Sequence, residues 1–323
     1  MSKIDRVLRS NLKLRHLQLL VALDQFRHLG RAAEFLAVTQ PAVSKTLAEI
    51  ERMLDMTLFE RSTRGTEPTA AGVSMVRFAR SVLAGFERTR DEMVAEASGT
   101  RGRTSVGAMV VATPVLLARA VEQLKARSAQ TTVMVEEGDL TRLLPKLRMG
   151  ELDLFVGRLE PGYASPDLET EALYDEPMVA VVRPGHALLA QPASWQALAD
   201  MPCVMPPPWA SLRVKLEQQF FAHGLHPPAD LVESASFLSQ ISFLHQRGAV
   251  AFMARGVAEH FAQQGLVAVL DLPVPIDLPA VGLITLRGQP MTATTRLLVE
   301  CLRAVVGKSL ATARHGEQLQ HGR

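Results

Sequence analysis

The chain has 323 residues, of which 47% are hydrophobic and 21% charged, with a mean hydropathy of +0.10. This length exceeds what one hydrophobic core usually holds, so we expect at least two domains, and the composition excludes extensive disorder. Residues 1–104 carry 17 Lys and Arg against 12 Asp and Glu, whereas residues 105–323 carry 18 against 21. A basic N-terminal part on a mildly acidic body favours a polyanion-binding module joined to a second unit.

Neither membrane insertion nor secretion is indicated. No apolar run approaches the roughly 18 residues of a membrane span, and the charged start MSKIDRVLRSNLKLRH lacks the apolar region of a signal peptide. Two cysteines, Cys203 and Cys301, permit neither a disulfide framework nor a cysteine metal cluster. The sequence therefore predicts a cytoplasmic protein.

The first predicted elements are three short helices. Residues 12–27 have the apolar spacing of an amphipathic helix, and residues 28–38 contain a shorter helix rich in alanine. A third helix begins at Thr39, a capping residue, followed by Pro41 in the first turn, where its missing N–H does no harm. The apolar positions of this third helix share one face: Val43, Leu47, Ile50 and Leu54. Two short helices joined by a tight turn predict a helix-turn-helix.

A basic turn and a long helix follow. Residues 57–72 carry Arg61 and Arg64 among small polar residues, which indicates a compact turn or β-wing. Residues 72–97 predict a helix of coiled-coil character that pairs with a second copy, although Arg90 interrupts its apolar seam. The seam positions are Val76, Ala79, Leu83, Phe86, Met93 and Ala97. Residues 98–104, with two glycines and two arginines, predict a hinge.

From Thr104 onward the pattern changes to short apolar runs alternating with helical segments. Residues 104–157 predict a β-α-β-α-β unit with an open parallel sheet, and residues 177–264 predict a second α/β set. A late strand at Val281–Leu286 and a helix at Thr292–Val306 could return the chain to the first lobe. If the chain crosses between the lobes twice, the two lobes would enclose a cleft in which a ligand binds. The last residues lack apolar periodicity and predict a mobile tail.

Several short motifs follow one another in fixed order in the N-terminal 70 residues: Ala32-Ala33 with Leu36, Thr39-Gln40-Pro41-Ala42-Val43-Ser44, Ile50-Glu51, Leu58-Phe59-Glu60-Arg61 and Thr69-Ala70-Ala71-Gly72. In these residues the chain resembles the winged helix-turn-helix of LysR-type transcriptional regulators. The long helix and two α/β lobes follow in that family's order. Residues Met149–Leu159, MGELDLFVGRL, are similar to the branch that regulates sugar-binding-protein and protocatechuate genes.

The resemblance implies an α/β fold with an N-terminal winged helix-turn-helix and an effector domain similar to type 2 periplasmic binding proteins. The implied divisions are residues 1–70 for DNA binding, 71–98 for the linker helix, 99–307 for the effector domain and 308–323 for the mobile tail. It implies a sequence-specific regulator of transcription, usually an activator, that is controlled by a small carboxylate such as an aromatic or sugar-derived acid. It also implies a homodimer that assembles into a homotetramer, and it allows RNA polymerase as a further partner.

The DNA contacts follow from placing the third helix in the major groove of double-stranded DNA. We expect base contacts from the start of that helix and backbone contacts from arginines nearby. The expected residues are Arg31, Thr39, Gln40, Pro41, Ala42, Ser44, Lys45, Arg61 and Arg64. The alternative is that Thr39 and Pro41 only start a helix and that the arginines form a solvated face.

The effector contacts are expected at the strand ends that face the cleft. Free N–H groups before Pro114 would attract an anion, and Arg158 would pair with a carboxylate. The expected residues are Val111, Ala112, Thr113, Arg158, Pro207, Trp209, Ser211, Ser236 and Phe237. Alternatively, Thr113, Ser211 and Ser236 are ordinary helix caps and Arg158 pairs with Glu160 or another acid.

Other classes of protein are less consistent with the sequence. It lacks the G-x-S-x-G, Walker, G-x-G-x-x-G and H-E-x-x-H motifs, so we expect no enzyme, cofactor or metal. A cytoplasmic solute-binding protein would suit the two-lobed body but not the helix-turn-helix. A purely architectural DNA-binding protein would leave the α/β body unexplained.

Overall fold

The computed structural model describes residues 3–62, 65–98, 102–208 and 210–320. The N-terminal domain contains α1 (Lys3–Arg6), a π-helical turn (Val7–Asn11), α2 (Leu14–Phe26), α3 (Leu29–Phe35), α4 (Gln40–Leu54) and the antiparallel wing strands β1 (Phe59–Ser62) and β2 (Gly65–Pro68). The linker helix α5 spans Ala70–Ser98.

The apolar face of α4 packs into the core of this domain together with apolar residues of α2 and α3. Val76 and Ala79, at the start of α5, are also buried in that core. They were predicted to lie in a seam between two copies, so the seam prediction is wrong for these two residues. Further along α5, Phe86 and Met93 are exposed, and Arg90 pairs with Glu87 at 2.5 Å. The first turns of the linker helix therefore belong to the DNA-binding domain.

The remaining helices and strands build two lobes. In chain order they are β3 (Arg103–Ala108), α6 (Ala118–Arg127), β4 (Thr132–Glu137), α7 (Leu140–Met149), β5 (Leu154–Arg158), β6 (Leu168–Tyr174), β7 (Met178–Val182), α8 (Trp195–Ala199), β8 (Cys203–Met205), α9 (Ser211–Ala222), β9 (Leu231–Glu233), α10 (Phe237–Arg247), β10 (Val250–Ala254), α11 (Arg255–Gln263), β11 (Ala268–Val269), β12 (Val281–Leu286) and α12 (Ala293–Gln320). A π-helical turn, Thr113–Leu117, leads into α6.

Each lobe has a mixed sheet. In the described part of the chain, the first lobe has the strand order β4-β3-β5-β12-β6 and the second has β11-β7-β10-β8-β9. In the first lobe β3, β4 and β5 are parallel, as predicted, but β12 runs antiparallel to both β5 and β6. The parallel arrangement predicted for residues 104–157 is therefore confirmed, and the complete first-lobe sheet is mixed. The reason is that the chain leaves the first lobe after β6 and returns from the second at β12, so its last strand enters the sheet from the opposite end.

The C-terminal helix is longer than the sequence predicts. It begins at Ala293, close to the predicted start, and continues to Gln320, through residues assigned to a tail. Leu298, Cys301 and Leu302 are buried against the first lobe. The mobility of residues 308–323 stays a prediction.

We expect the buried His16 to make the stability of the N-terminal domain depend on pH. Its ring is buried, Nδ1 accepts the Lys13 N–H at 3.3 Å, and Nε2 has no hydrogen-bond partner among the residues that the structure describes. Burial lowers the pKa of His16, and the nearby charges of Arg15 and Lys13 lower it further, against an opposing effect of Glu49. The unfolded chain therefore takes up this proton at higher pH than the folded one, so stability should fall as pH drops below about 6.5.

Chemical unfolding monitored by circular dichroism at pH 7.5 and pH 5.5 tests this. The loss of stability on acidification should be smaller in a His16→Gln variant, by at most about 1.4 kcal/mol per pH unit. Equal losses in the two proteins would show that His16 does not titrate between these pH values.

Candidate DNA-binding surface and effector cavity

The start of α4 is exposed on the side away from the domain core. Thr39 caps the helix, because its Oγ1 accepts the Ala42 N–H at 3.4 Å, and Pro41 occupies the first turn. The cap and the exposed face are compatible, so the capping alternative does not exclude DNA contact. The predicted residues exposed here are Thr39, Gln40, Pro41, Ala42 and Lys45, and Ser44 is half-buried.

The wing is attached to α4 at two places. An Arg61 guanidinium N–H donates to Ser44 Oγ at 2.9 Å, which joins two of the predicted DNA contacts. Near the other end of α4, Glu51 Oε1 accepts the backbone N–H groups of Leu58 and Phe59 at 2.7 and 3.1 Å. These bonds fix the position of the wing relative to the helix. Arg64, also predicted to contact DNA, lies outside the described residues.

Arg31 is exposed in the first turn of α3. Sequence reasoning missed the residue that orients this turn, His28. Its Nδ1 accepts the N–H groups of Gly30 and Arg31 at 3.0 and 3.4 Å and so caps the helix. Histidine is not among the residues preferred at this position, which is why pattern alone did not single it out.

The Thr69–Gly72 segment joins the wing to the linker helix. Thr69 Oγ1 donates to the Thr57 carbonyl at 2.8 Å and accepts the Gly72 N–H at 3.0 Å. A Cβ on Gly72 would lie 2.0 Å from the Leu58 carbonyl oxygen. The helix therefore approaches the wing so closely that this position requires glycine.

A cavity of about 520 Å³ lies between the two lobes. Its first-lobe wall includes Met109, Val110, Val111, Glu137, Asp139, Leu140, Arg142, Arg158, Glu160 and Tyr163. Its second-lobe wall includes Met178, Pro206, Pro207, Ala210, Ser211, Leu212, Ser234, Phe237, Gln240, Phe252 and Met253. The second-lobe wall is mostly apolar and the first-lobe wall carries the charged side chains, and apolar surface with a limited number of polar groups is typical of small-molecule sites.

Five predicted effector residues lie in the cavity wall: Val111, Arg158, Pro207, Ser211 and Phe237. Trp209 lies outside the described residues. The described wall does not include the other three predicted residues, Ala112, Thr113 and Ser236. Their hydrogen bonds show what each does instead.

Ala112 is fully buried, and its N–H donates to the Met109 carbonyl at 2.9 Å, so it is not the free anion-binding donor expected before Pro114. The Thr113 hydroxyl donates to the same carbonyl at 3.1 Å. Ser236 is an ordinary helix cap, because its Oγ accepts the Ser239 N–H at 3.4 Å. These three residues serve local structure.

Arg158, at the end of β5, touches both segments that cross between the lobes. Its side chain is buried, and its terminal nitrogens donate to the Pro279 and Glu176 carbonyls at 2.9 and 2.7 Å. These bonds to backbone carbonyls differ from the predicted alternative, a pair with a surface acid, and the binding of a carboxylate ligand by Arg158 stays a prediction. Burial lowers the pKa of Arg158, and the nearby Glu176 and Glu160 oppose this effect. Arg158 thus lines the cavity and also holds together the two segments that cross between the lobes.

Two further interactions shape the cavity. Ser211 at the start of α9 donates to Glu160 Oε1 at 3.2 Å, which bridges the lobes across the cleft. Asp139 caps α7 by accepting the Arg142 N–H at 3.1 Å, and a hydrogen bond from the Thr141 hydroxyl is the main cause that lowers the Asp139 pKa. The cleft therefore contains both fixed carboxylates and a buried arginine.

Within the described residues, no cluster of three or more His, Cys, Asp or Glu side chains could hold a metal ion. Across the same part of the chain, no helix combines the length and apolar character needed to cross a bilayer.

Comparison with known proteins identifies both parts of the chain. Residues 14–73 match the family of bacterial regulatory helix-turn-helix proteins of the lysR type, and residues 97–307 match the LysR substrate binding domain. The chain belongs to the LysR family of transcriptional regulators. It is a DNA-binding regulator of transcription with an effector-binding domain, as its sequence predicts.

Two relatives in this family match nearly the whole chain. The transcriptional regulator GbpR of Azospirillum brasilense is 32% identical over 301 residues, covering 92% of this chain and 87% of GbpR. The regulator PcaQ of Agrobacterium fabrum is 30% identical over 298 residues, covering 92% of this chain and 96% of PcaQ. The branch predicted from Met149–Leu159 is confirmed by these relatives.

Solved structures of the family have the same fold. The LysR family regulator CbnR superposes with a TM-score of 0.69 at 18% identity, covering 91% of this chain and 99% of CbnR. A second CbnR structure, in complex with its target DNA, gives a TM-score of 0.69 at 19% identity and covers 91% of this chain and 100% of CbnR. At these identities the comparison confirms the fold, a winged helix-turn-helix followed by a two-lobed domain.

Proposed function

We propose that this LysR family member reads a specific DNA site through the start of α4 and the wing, and that a small carboxylate bound between the lobes controls transcription. The reading of DNA is supported by the exposed residues Thr39–Ala42 and Lys45, which the hydrogen bond from Arg61 to Ser44 holds next to the wing. Gln40 can pair with a base edge, while Arg31 and Arg61 reach phosphates.

The active form is a homotetramer built from dimers. One wing module contacts too few base pairs for useful discrimination, so two half-sites read by two copies are needed. Exposed apolar residues on α5 support pairing through the linker helix: Phe78, Phe86, Met93 and Val94. RNA polymerase is the downstream partner of the assembly, and the protein acts in the cytoplasm.

The effector is an aromatic or sugar-derived acid. The apolar walls suit its body, and Arg158 supplies donors for its carboxylate. A guanidinium carries five N–H donors. The bonds to the Pro279 and Glu176 carbonyls use only some of these donors, so others can bind the carboxylate. Effector binding acts by favouring one arrangement of the lobes over another.

Replacing Gln40 with alanine tests the DNA-reading role. Because Gln40 contacts a base edge, the variant should lose about 1–3 kcal/mol of binding free energy at the specific site and much less on random DNA. Fluorescence anisotropy with both DNAs measures the difference. Gln130→Ala, which changes an exposed glutamine of the effector domain, is the matched control and should bind as wild type. Equal losses on the two DNAs would mean that Gln40 only positions the backbone.

A further inference from the structure

Five charged side chains form a continuous row, which we call the ion-pair chain. Glu67 pairs with Arg27 at 2.5 Å, Arg27 with Asp24 at 2.8 Å, Asp24 with Arg80 at 3.0 Å, and Arg80 with Glu151 at 3.2 Å. The hydrogen-bonded partners are up to 71 positions apart in sequence. The row therefore connects parts of the molecule that are distant along the chain.

The ion-pair chain begins in the wing and ends in the first lobe. Glu67 lies in β2, and Arg27 follows the end of α2. The Arg27 carbonyl also accepts the Thr66 N–H at 2.9 Å, so Arg27 holds the wing by backbone and side chain. Arg80 lies on the linker helix, and its two terminal nitrogens bind one carboxylate from each domain. Arg80 is thus the point where the DNA-binding domain and the effector domain meet.

A second arginine of the linker helix, Arg88, contacts the residues on either side of Glu151. Arg88, about two turns after Arg80 on α5, donates to the Gly150 carbonyl at 3.3 Å and lies 3.8 Å from Asp153. Gly150 has a φ of +74°, and a Cβ there would lie 2.9 Å from the Arg88 guanidinium. Asp153 in turn accepts the Ser105 N–H of β3 at 2.7 Å. Residues 150–153 are therefore attached to the linker helix on one side and to the sheet on the other.

This attached segment leads directly into the strand that reaches the effector cavity. β5 starts at Leu154, and each of its five residues is buried. It ends at Arg158, which contacts the cavity and both crossing segments. One end of this buried central strand thus reaches the effector cavity, and the other end follows the segment that contacts the linker helix.

We propose that the ion-pair chain, with Arg80 as its positioning residue, couples the lobe arrangement to the position of the wing. The proposal rests on the proposed function, because it assigns a route by which an effector in the cleft alters DNA binding. Ion pairs between partly exposed side chains such as these stabilise a fold little. The planar fork of Arg80, which holds two carboxylates at once, instead fixes the angle between two domains.

Hydrogen–deuterium exchange of the full-length protein, free of DNA and small molecules, tests the coupling. Glu151→Gln removes a charge in the effector domain, and Arg80→Lys keeps the charge but replaces the fork with a single ammonium. Both should raise amide exchange in the wing strands, Phe59–Ser62 and Gly65–Pro68, by about two- to fivefold, the range expected for losing one partly exposed pair. Glu122→Gln and Arg77→Lys change exposed residues on α6 and α5 and should leave the wing unchanged.

The double variant decides whether both residues act along one route. If Arg80 transmits the influence of Glu151, combining the two changes should raise wing exchange no further than Arg80→Lys alone. Wing exchange at the wild-type level in both single variants, or effects that multiply in the double variant, would overturn the proposal.

Titration of the same proteins with the intergenic DNA upstream of the gene separates this proposal from the proposed function. Failure of the wild type to prefer that DNA over random DNA would count against the proposed function, whatever the exchange data show. Preference for that DNA with unchanged wing exchange in the variants would overturn the coupling alone.

Discussion

Replacement of Arg158 by alanine is expected to abolish the response to effector while specific DNA binding persists. The change removes the donors offered to a carboxylate and leaves two half-buried carbonyls of the segments that cross between the lobes, those of Glu176 and Pro279, without their partner. The effector domain should lose roughly 2–4 kcal/mol of stability from the unpaired carbonyls. The change alters neither a residue of the DNA-binding surface nor one of the five side chains of the ion-pair chain, so specific DNA binding without effector should persist.

A thermal-shift series with small aromatic and sugar-derived acids, each compared with its neutral amide, measures the response. The wild type should be stabilised by at least one acid and not by its amide, and Arg158→Ala by neither. Arg158→Lys keeps the positive charge but lacks the planar guanidinium. It therefore separates the electrostatic attraction of the acid from the hydrogen bonds that hold the two crossing segments. Arg119→Ala changes an exposed arginine of the same lobe and serves as control. An unchanged acid response in Arg158→Ala would remove Arg158 from the effector site.

Replacement of Gly72 by alanine is expected to destabilise the DNA-binding domain by about 2–4 kcal/mol, at the upper end of what overpacking costs. The new methyl group would meet the Leu58 carbonyl at 2.0 Å, so the linker helix must move away from the wing. That movement would break the hydrogen bonds of Thr69 to the Thr57 and Leu58 carbonyls.

Gly85→Ala is the matched control because it lies on the same helix with nothing within 4 Å of the added Cβ. Alanine is the better helix former, so this control should be more stable than wild type by about 0.5–1 kcal/mol. Denaturant unfolding followed by circular dichroism compares the three proteins. A stability of Gly72→Ala equal to that of Gly85→Ala would contradict the close approach of helix and wing.

The N-terminal domain could be predicted closely because its signals are local. The bounds of α4 follow from Thr39, Pro41 and four apolar residues at helical spacing, all within one segment. The sequence also placed most of the strands and helices of the lobes. It could not predict that β12 pairs antiparallel with β5, because strand direction depends on where the chain re-enters the sheet.

The sequence predicted several of the residues at the candidate sites, but not the hydrogen bonds that these residues form. Gln40 and Lys45 are exposed as expected, yet the Arg61–Ser44 bond joins residues 17 positions apart that no periodicity relates. Arg158 was assigned to a ligand because its residue type and strand-end position suit one. Its hinge bonds reach 18 and 121 positions along the chain, and only the folded arrangement brings those carbonyls together.

The central claim is that this LysR family protein binds a specific DNA site, and fluorescence anisotropy tests it most directly. The purified full-length protein is titrated against the intergenic DNA upstream of its gene and against random DNA over a series of salt concentrations. We predict tighter binding to the intergenic DNA, with affinity that falls steeply as salt rises, because phosphate contacts release counterions. Equal affinity for the two DNAs at every salt concentration, with the protein folded, would contradict this claim and count against the proposed function.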